Sequence, residues 1–292
     1  MGGTTSIFSD TVCALGEGPA AHPALGRLFW FDILGRRLLE QPFASGHTTV
    51  HDLPVMASVM AVVDDHTQLI AAENGLYLRD VASGRLSLHA ALEADNPATR
   101  SNDGRVHPCG ALWIGTMGKR AETGAGALYW FFRGELRRLF SDISIINSIA
   151  FSPDGSAAWF ADTALGIIWR IATDPVTGLP QGERQVFATI PAGEGGPDGS
   201  VMDADGLLWN ARWGGGCLDV YAPDGRRIRS VSIPTRQPSC PAFIGPNADR
   251  MAVTTATEGY DNAALAADPQ AGRTFLLTET VRGRFDPPVR LA

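Results

Sequence analysis

Six oxygen-bearing side chains, Glu17, Ser58, Asn102, Asn147, Asp198 and Ser239, stand among mostly apolar or glycine neighbours. Each lies 11 to 13 positions ahead of the second residue of a hydrophobic pair: Phe29-Trp30, Leu69-Ile70, Leu112-Trp113, Trp159-Phe160, Leu208-Trp209 or Met251-Ala252. Neutral and anionic oxygens gathered in one place are what a hard divalent cation takes as ligands. Glu17 and Asp198 would give two carboxylates to such a shell, and Asn147 an amide oxygen. Without a cation, two carboxylates held close repel, and one tends to stay protonated. The same residue types also satisfy loose backbone groups in turns. Glu17 in Gly16-Glu17-Gly18-Pro19 and Asp198 in Pro197-Asp198-Gly199 both suit that plainer role. On residue type alone, both readings stand.

The elements that would bring these residues together follow from the recurrence of the hydrophobic pairs. They return at intervals of about 40 to 50 residues, the repeat length of a propeller blade. The clearest module runs from Ile146 to Ile171: a short strand to Phe151, a Ser152-Pro153-Asp154-Gly155 hairpin turn, a strand from Ala157 to Asp162, and a third from Ile167. Pro presets φ at the turn, and Gly takes positive φ freely. Gln185 to Thr189 is the candidate fourth strand. The spacing therefore predicts an all-β fold, a six-bladed β-propeller of four-stranded antiparallel blades around a central channel, with residues 1–292 as one domain. The first strand of each module would line that channel, so the six oxygen-bearing residues are expected to face one another at its mouth. Residues 3–12 are left over, and Thr5 to Val12 is expected to pair into the last blade, beside strands in the 251–290 region, hiding an exposed sheet edge.

Composition narrows the function classes. A hydrophobic content of 45% with 19% charged residues describes a globular chain with a sizeable core. The net charge of −7, with no Lys/Arg cluster beyond the pairs Arg36-Arg37 and Arg226-Arg227, argues against a nucleic-acid surface. Met1 to Asp10 has neither a basic start nor an apolar run, and no stretch is apolar for the roughly 20 residues a bilayer span needs. A soluble, cytoplasmic protein without membrane or nucleic-acid partners is expected, as a monomer or weak homo-oligomer. Cys13, Cys109, Cys217 and Cys240 are widely spaced, which favours reduced thiols over zinc or disulfides. The six histidines fall mostly in turns or outer strands, and no nucleophile elbow occurs. Trp30, Trp113, Trp159 and Trp209 read as packing between blades, whereas Trp213 lies in a Gly-rich turn where it could face a ligand.

At these residues the chain resembles the SMP-30/gluconolactonase/regucalcin-like family. The resemblance rests on Leu15-Gly16-Glu17-Gly18-Pro19, Leu28-Phe29-Trp30-Phe31-Asp32-Ile33, Arg100-Ser101-Asn102-Asp103-Gly104 and Gly115-Thr116-Met117. It continues with Asn147 ahead of Phe151-Ser152-Pro153-Asp154-Gly155, then Pro197-Asp198-Gly199 and Trp213-Gly214-Gly215, all in family order. It implies a six-bladed propeller that hydrolyses a sugar lactone with one divalent metal ion. By the same resemblance Glu17, Asn147 and Asp198 hold the metal, Arg100 and Asn102 grip the sugar, and Asp103 braces the loop or the nearby shell. Glu122 is the nearest match to a family Glu that contacts substrate. Two departures stand out: Ala20-Ala21-His22 replaces a usual Trp, and Ser148 replaces the usual Gly after the metal-binding Asn. Both touch the pocket wall more than the metal, so they bear on substrate identity.

The expected reaction is hydrolysis of a glucono-, xylono- or arabinonolactone, with Asp198 as general base for water or acid for the leaving alkoxide. Calcium suits an all-oxygen shell best; magnesium, manganese, zinc and ferrous iron are compatible with it. Two other readings compete: an esterase or organophosphate hydrolase on the same scaffold, and a non-enzymatic calcium-binding or interaction propeller. Carboxylates at the channel mouth favour an enzyme over an interaction platform, which would show an apolar patch instead.

Overall fold

A computed structural model describes residues 4–44 and 46–292; the first three positions of the leader reading lie outside the described residues. Six four-stranded antiparallel sheets form a ring, so the chain is a six-bladed β-propeller. The innermost strands are Gly16–His22, Ala57–Val62, Thr99–Val106, Ile146–Phe151, Gly196–Met202 and Pro238–Ile244. Each packs against the innermost strands on both sides, which closes the channel wall. We number the blades 1 to 6 in that order.

All six hydrophobic pairs fall in the second strands, and every one of their residues is buried. Strands covered on both faces read as continuous apolar runs; the outermost strands, such as Thr49–Asp52 and Leu86–Ala91, are largely exposed. Adjacent blades interlock through aromatic side chains. Trp113 of blade 3 meets Phe151 of blade 4 edge-on, with ring centroids 5.2 Å apart at 85°, a geometry that aromatic quadrupoles favour.

The ring closes as the sequence predicts. Thr5–Ser9 pairs antiparallel with Thr274–Leu277 and forms the outer edge of blade 6. The expected strand territory up to residue 290 is shorter than foreseen, because Thr274–Leu277 is the last strand. Beyond it the chain crosses the far end of the channel without joining a sheet. A six-residue helix, Asn262–Ala267, interrupts blade 6; Asp261 caps it by accepting from Ala264 N at 2.8 Å. Among the described residues, no helix is long and apolar enough to cross a membrane.

One irregularity recurs six times. Every innermost strand carries a β-bulge, between Glu17 and Ala20, Ala57 and Val59, Ser101 and Gly104, Asn147 and Ala150, Pro197 and Ser200, and Pro238 and Pro241. Each adds one residue over its partner strand, which bends the backbone and re-aims a side chain. The oxygen-bearing residues sit at these bulges. In blades 1 and 4, Glu17 and Asn147 still pair with the second strand, and the next residue, Gly18 or Ser148, turns left-handed. In blades 2, 3, 5 and 6 the oxygen-bearing residue lies inside the bulge. Gly18 is required for a further reason: a Cβ there would lie 1.8 Å from the Ser58 carbonyl oxygen of blade 2.

Candidate active site

Four of the six predicted residues, Glu17, Asn102, Asn147 and Asp198, line one cavity of about 440 Å³ at the bulged end of the channel, together with Arg100. These five side chains are each 4–6% exposed, so solvent meets them only through the cavity. Ser58 and Ser239 do not join them. Both are fully buried and latch blades together: Ser58 Oγ donates to Ser101 Oγ at 2.7 Å, and Ser239 Oγ donates to the Gly16 carbonyl. The four neutral members of the expected ring therefore reduce to two amides, and the carboxylates stay.

A directional chain of hydrogen bonds fixes those amides. Arg100 Nη1 donates to Asn102 Oδ1 at 2.7 Å and to the Ser101 carbonyl at 3.0 Å. Asn102 must then turn its NH₂ outward, and it donates to Asn147 Oδ1 and to the Ile146 carbonyl, both at 2.9 Å. Asn147 in turn donates to Thr163 Oγ1 at 2.8 Å, and Thr163 donates to the Pro197 carbonyl at 2.7 Å. Asn147 Oδ1 accepts one bond and keeps a second lone pair for a ligand.

The carboxyls of Glu17 and Asp198 lie close enough for each to shift the other's titration. Burial, then the negative charge of Asp103, pushes Glu17 up to about 8. Burial, then the charge of Glu17, raises Asp198 well above the ordinary carboxylate range. Arg100 lends its charge to both from a distance, while its Nη1 is spent on Asn102 and Ser101. Asp103 stands behind them, its Oδ2 accepting from Ile149 N and its Oδ1 from Gly104 N, both at 2.8 Å. Burial lifts it to about 6 against the pull of Arg105. Among the described residues, no group of three His, Cys, Asp or Glu side chains is placed to hold a metal ion. The donor set here is instead two carboxylates and an amide oxygen. Two buried carboxyls held close to each other are a pair that a hard cation would relieve, so these residues fit a divalent ion.

The opposite wall was only partly visible in the sequence. Trp213 does line the cavity, with Lys119, Thr163, Gln237 and Glu258. Lys119 pairs with Glu73 at the mouth. Gln237 Nε2 donates to the Glu258 carbonyl at 3.0 Å, which turns Oε1 away with no protein partner. Among the described residues that line the cavity, Gln237 is the one with a buried side-chain nitrogen or oxygen left without a partner. Glu122 stands outside the lining. Its carboxylate closes its own loop, accepting from Arg120 N at 3.0 Å and Arg120 Nε at 3.1 Å.

Comparison with known proteins shows the family. The model of the family described as SMP-30/Gluconolactonase/LRE-like region matches residues 15–257. A solved structure of a calcium-binding protein, regucalcin, from Agrobacterium tumefaciens strain C58 is 53% identical, with a TM-score of 0.96 over 98% of this chain and 97% of that one. The L-arabinolactonase of Azospirillum brasilense is 36% identical over 94% of this chain and 91% of its own length. The pentonolactonase XacC of Haloferax volcanii is 35% identical over 99% of both. On a match that takes in all six innermost strands, the chain belongs to the SMP-30/gluconolactonase/LRE-like family.

Proposed function

We propose that this protein is a lactonase that hydrolyses the lactone of a five- or six-carbon aldonic acid, with one divalent ion held by Glu17, Asn147 and Asp198. The observation that carries this reading is the approach of the Glu17 and Asp198 carboxyls to each other beside Asn147 at the base of the cavity. The names of the arabinolactonase and pentonolactonase relatives support a sugar lactone, and pentonolactones first. The ion is best taken as calcium, because the donors are all hard oxygens and the 53% identical structure is named a calcium-binding protein. When bound, such an ion supplies Lewis acidity to the carbonyl oxygen and charge for the developing oxyanion.

The chain's own residues do the rest. Arg100, its Nη1 locked to Asn102 Oδ1, presents its remaining N–H donors to ring hydroxyls, and Asn102, whose amide hydrogens are spent within the protein, offers the second lone pair of Oδ1; together they hold the ester carbonyl toward the carboxylates. Asp198 takes the proton of the attacking water as the new C–O bond forms. When the ring C–O bond breaks, Asp198 returns that proton to the leaving oxygen, and the open-chain hydroxy acid departs. Trp213 and Leu15 give the ring an apolar wall. All four cysteines are free thiols, which suits a reducing compartment, and we place the enzyme in the cytoplasm.

The test is acid release from arabinono-, xylono- and gluconolactone, followed with a pH indicator, with and without chelator. The parent should turn over at least one lactone, and chelator should abolish it. Asp198→Ala should lower kcat about 10³-fold, within the range for a positioned acid–base group. Equal rates in Asp198→Ala and parent would dismiss Asp198 from the chemistry. The regucalcin name favours a second reading, calcium binding without catalysis; calcium uptake with no turnover on the whole panel would select it.

A further inference from the structure

After its last strand the chain does not simply trail off. Val281 N and Gly283 N donate to the carbonyls of Asp249 and Ala248 in blade 6, both at 3.0 Å. Ala204 N of blade 5 donates to the Arg282 carbonyl at 2.8 Å. On the other side of the ring, Val289 N donates to the Val62 carbonyl of blade 2 at 2.8 Å, and Arg290 N to the Gly110 carbonyl of blade 3 at 2.9 Å. Residues 284–287 span the gap and lie across the channel's far end. Phe285 stacks on Phe43, ring centroids 6.3 Å apart and 6° from parallel. The segment is a strap anchored on blades 2, 3, 5 and 6.

From this strap Asp286 reaches into the channel and pairs with Arg105 at 3.2 Å. Arg105 projects from the same strand as Asn102 and is 10% exposed. Its Nη2 donates to the Ser200 carbonyl at 3.0 Å, and its Nε to the Ile149 carbonyl at 3.5 Å. Ile149 and Ser200 each lie two residues past Asn147 and Asp198, at the end of the bulges that aim those side chains. The amide of Ile149 is held from the other side by Asp103. One guanidinium thus pins blades 4 and 5 at the bulges that carry two of the three ion-binding residues.

We infer that Asp286, acting through Arg105, is a positioning residue for the ion site: the strap sets the separation of Asn147 and Asp198 from the opposite end of the channel. Losing Asp286 frees one arm of the guanidinium and lets the two bulges relax independently. The inference rests on the reading of Glu17, Asn147 and Asp198 as an ion site.

The experiment compares parent, Asp286→Ala, Asp286→Asn and Arg282→Ala by calcium titration calorimetry and by amide hydrogen exchange. Asp286→Ala should weaken calcium binding about tenfold, the low end for a group that orients metal ligands from behind. Asp286→Asn, which keeps a neutral acceptor, should fall between. Arg282→Ala breaks the exposed strap contact to Asp205 and should bind calcium like the parent; an equal loss there would mean a general loosening and overturn the role of Asp286. Exchange in the calcium-free protein should quicken at 149–151 and 200–202 in Asp286→Ala and stay at the parent rate in blades 1 and 2. Unchanged exchange at those segments overturns the inference whatever calcium does. A parent that takes up no calcium defeats the ion-site reading, and the exchange data then decide the strap by themselves.

Discussion

The two ends of one channel, built from the same six strands, have opposite electrostatics. At the bulged end the strands surround about 440 Å³, and among the described residues no lysine or arginine hydrogen-bonds to Glu17 or Asp198, which face each other there. At the strap end they surround about 50 Å³, and the charges of Arg105 and Asp286 are paired. Apolar residues such as Val59, Val201 and Phe243 fill that end. A buried charge without a partner is costly, so a fold keeps one only where a guest will neutralise it. The open end leaves its two carboxyls to a guest, whereas at the closed end Arg105 pairs with Asp286 and Arg284 donates to the Phe151 carbonyl, ties that hold the strap on the ring.

The largest change expected from breaking the open end short of its carboxylates comes from Arg100→Lys. Lysine keeps the charge but loses the fork that holds Asn102 Oδ1 and the Ser101 carbonyl. Hydrogen bonds to a charged group contribute ~1.5–3 kcal/mol. The KM for the preferred lactone should therefore rise about ten- to a hundredfold, with a smaller change in kcat. Steady-state kinetics check this, and a KM within twofold of the parent would remove Arg100 from substrate binding.

A second measurement compares the ends through pH. Glu17, raised to about 8, and Asp198, raised well above its ordinary range, favour their protonated forms in the folded chain. For a raised carboxyl, the stability is fully present below the unfolded value and is lost as pH rises through the folded one. The ion-free protein should thus lose stability between about pH 4.5 and pH 8. Each pKa unit is ~1.4 kcal/mol, or ~2–4 °C in Tm for a chain somewhat smaller than this one. Calcium displaces the shared proton, so its stabilisation should be larger at pH 8 than at pH 5. Scanning fluorimetry at the two pH values, with chelator or calcium, reads both effects. A Tm that is flat with pH in chelator would show that the carboxyl pair is not strained.

The propeller was legible because each blade repeats one hydrophobic pattern, and a period survives small errors in strand ends. The constellation of Glu17, Asn102, Asn147 and Asp198 was legible for the same reason, since repeats bring equivalent positions to one axis. What did not show was the bulge. One extra residue per inner strand shifts the register, so Glu17 and Asn147 are aimed from a paired position while Asp198 is aimed from inside the bulge. Ser58 and Ser239 occupy the same sequence slot yet turn into latches. The far wall, with Lys119, Gln237 and Glu258, comes from loops that follow no period, and so no pattern marked it. The strap escaped notice because a segment outside every sheet carries no alternation to read.

The smallest expected effect tests how a bulge is made to hold its shape. Ser148 follows Asn147 with φ at +59°, where a side chain strains the backbone. Its hydroxyl compensates by donating to the Asp198 carbonyl at 2.6 Å and accepting from Asn210 Nδ2 at 2.9 Å. Ser148→Ala keeps the strained Cβ and loses both bonds. Ser148→Gly loses the same bonds but relieves a left-handed penalty of ~1–2 kcal/mol, partly offset by the ~0.4–1 kcal/mol entropy of a freer unfolded chain. A hydrogen bond contributes ~1 kcal/mol net, so losing two should put both variants below the parent, with the Gly variant between the parent and the Ala variant. The gap of ~1 kcal/mol corresponds to a few degrees in Tm. Equal melting of the two variants would mean that the backbone at Ser148 carries no strain. In that case the hydroxyl, rather than the conformation, is what the bulge of blade 4 depends on.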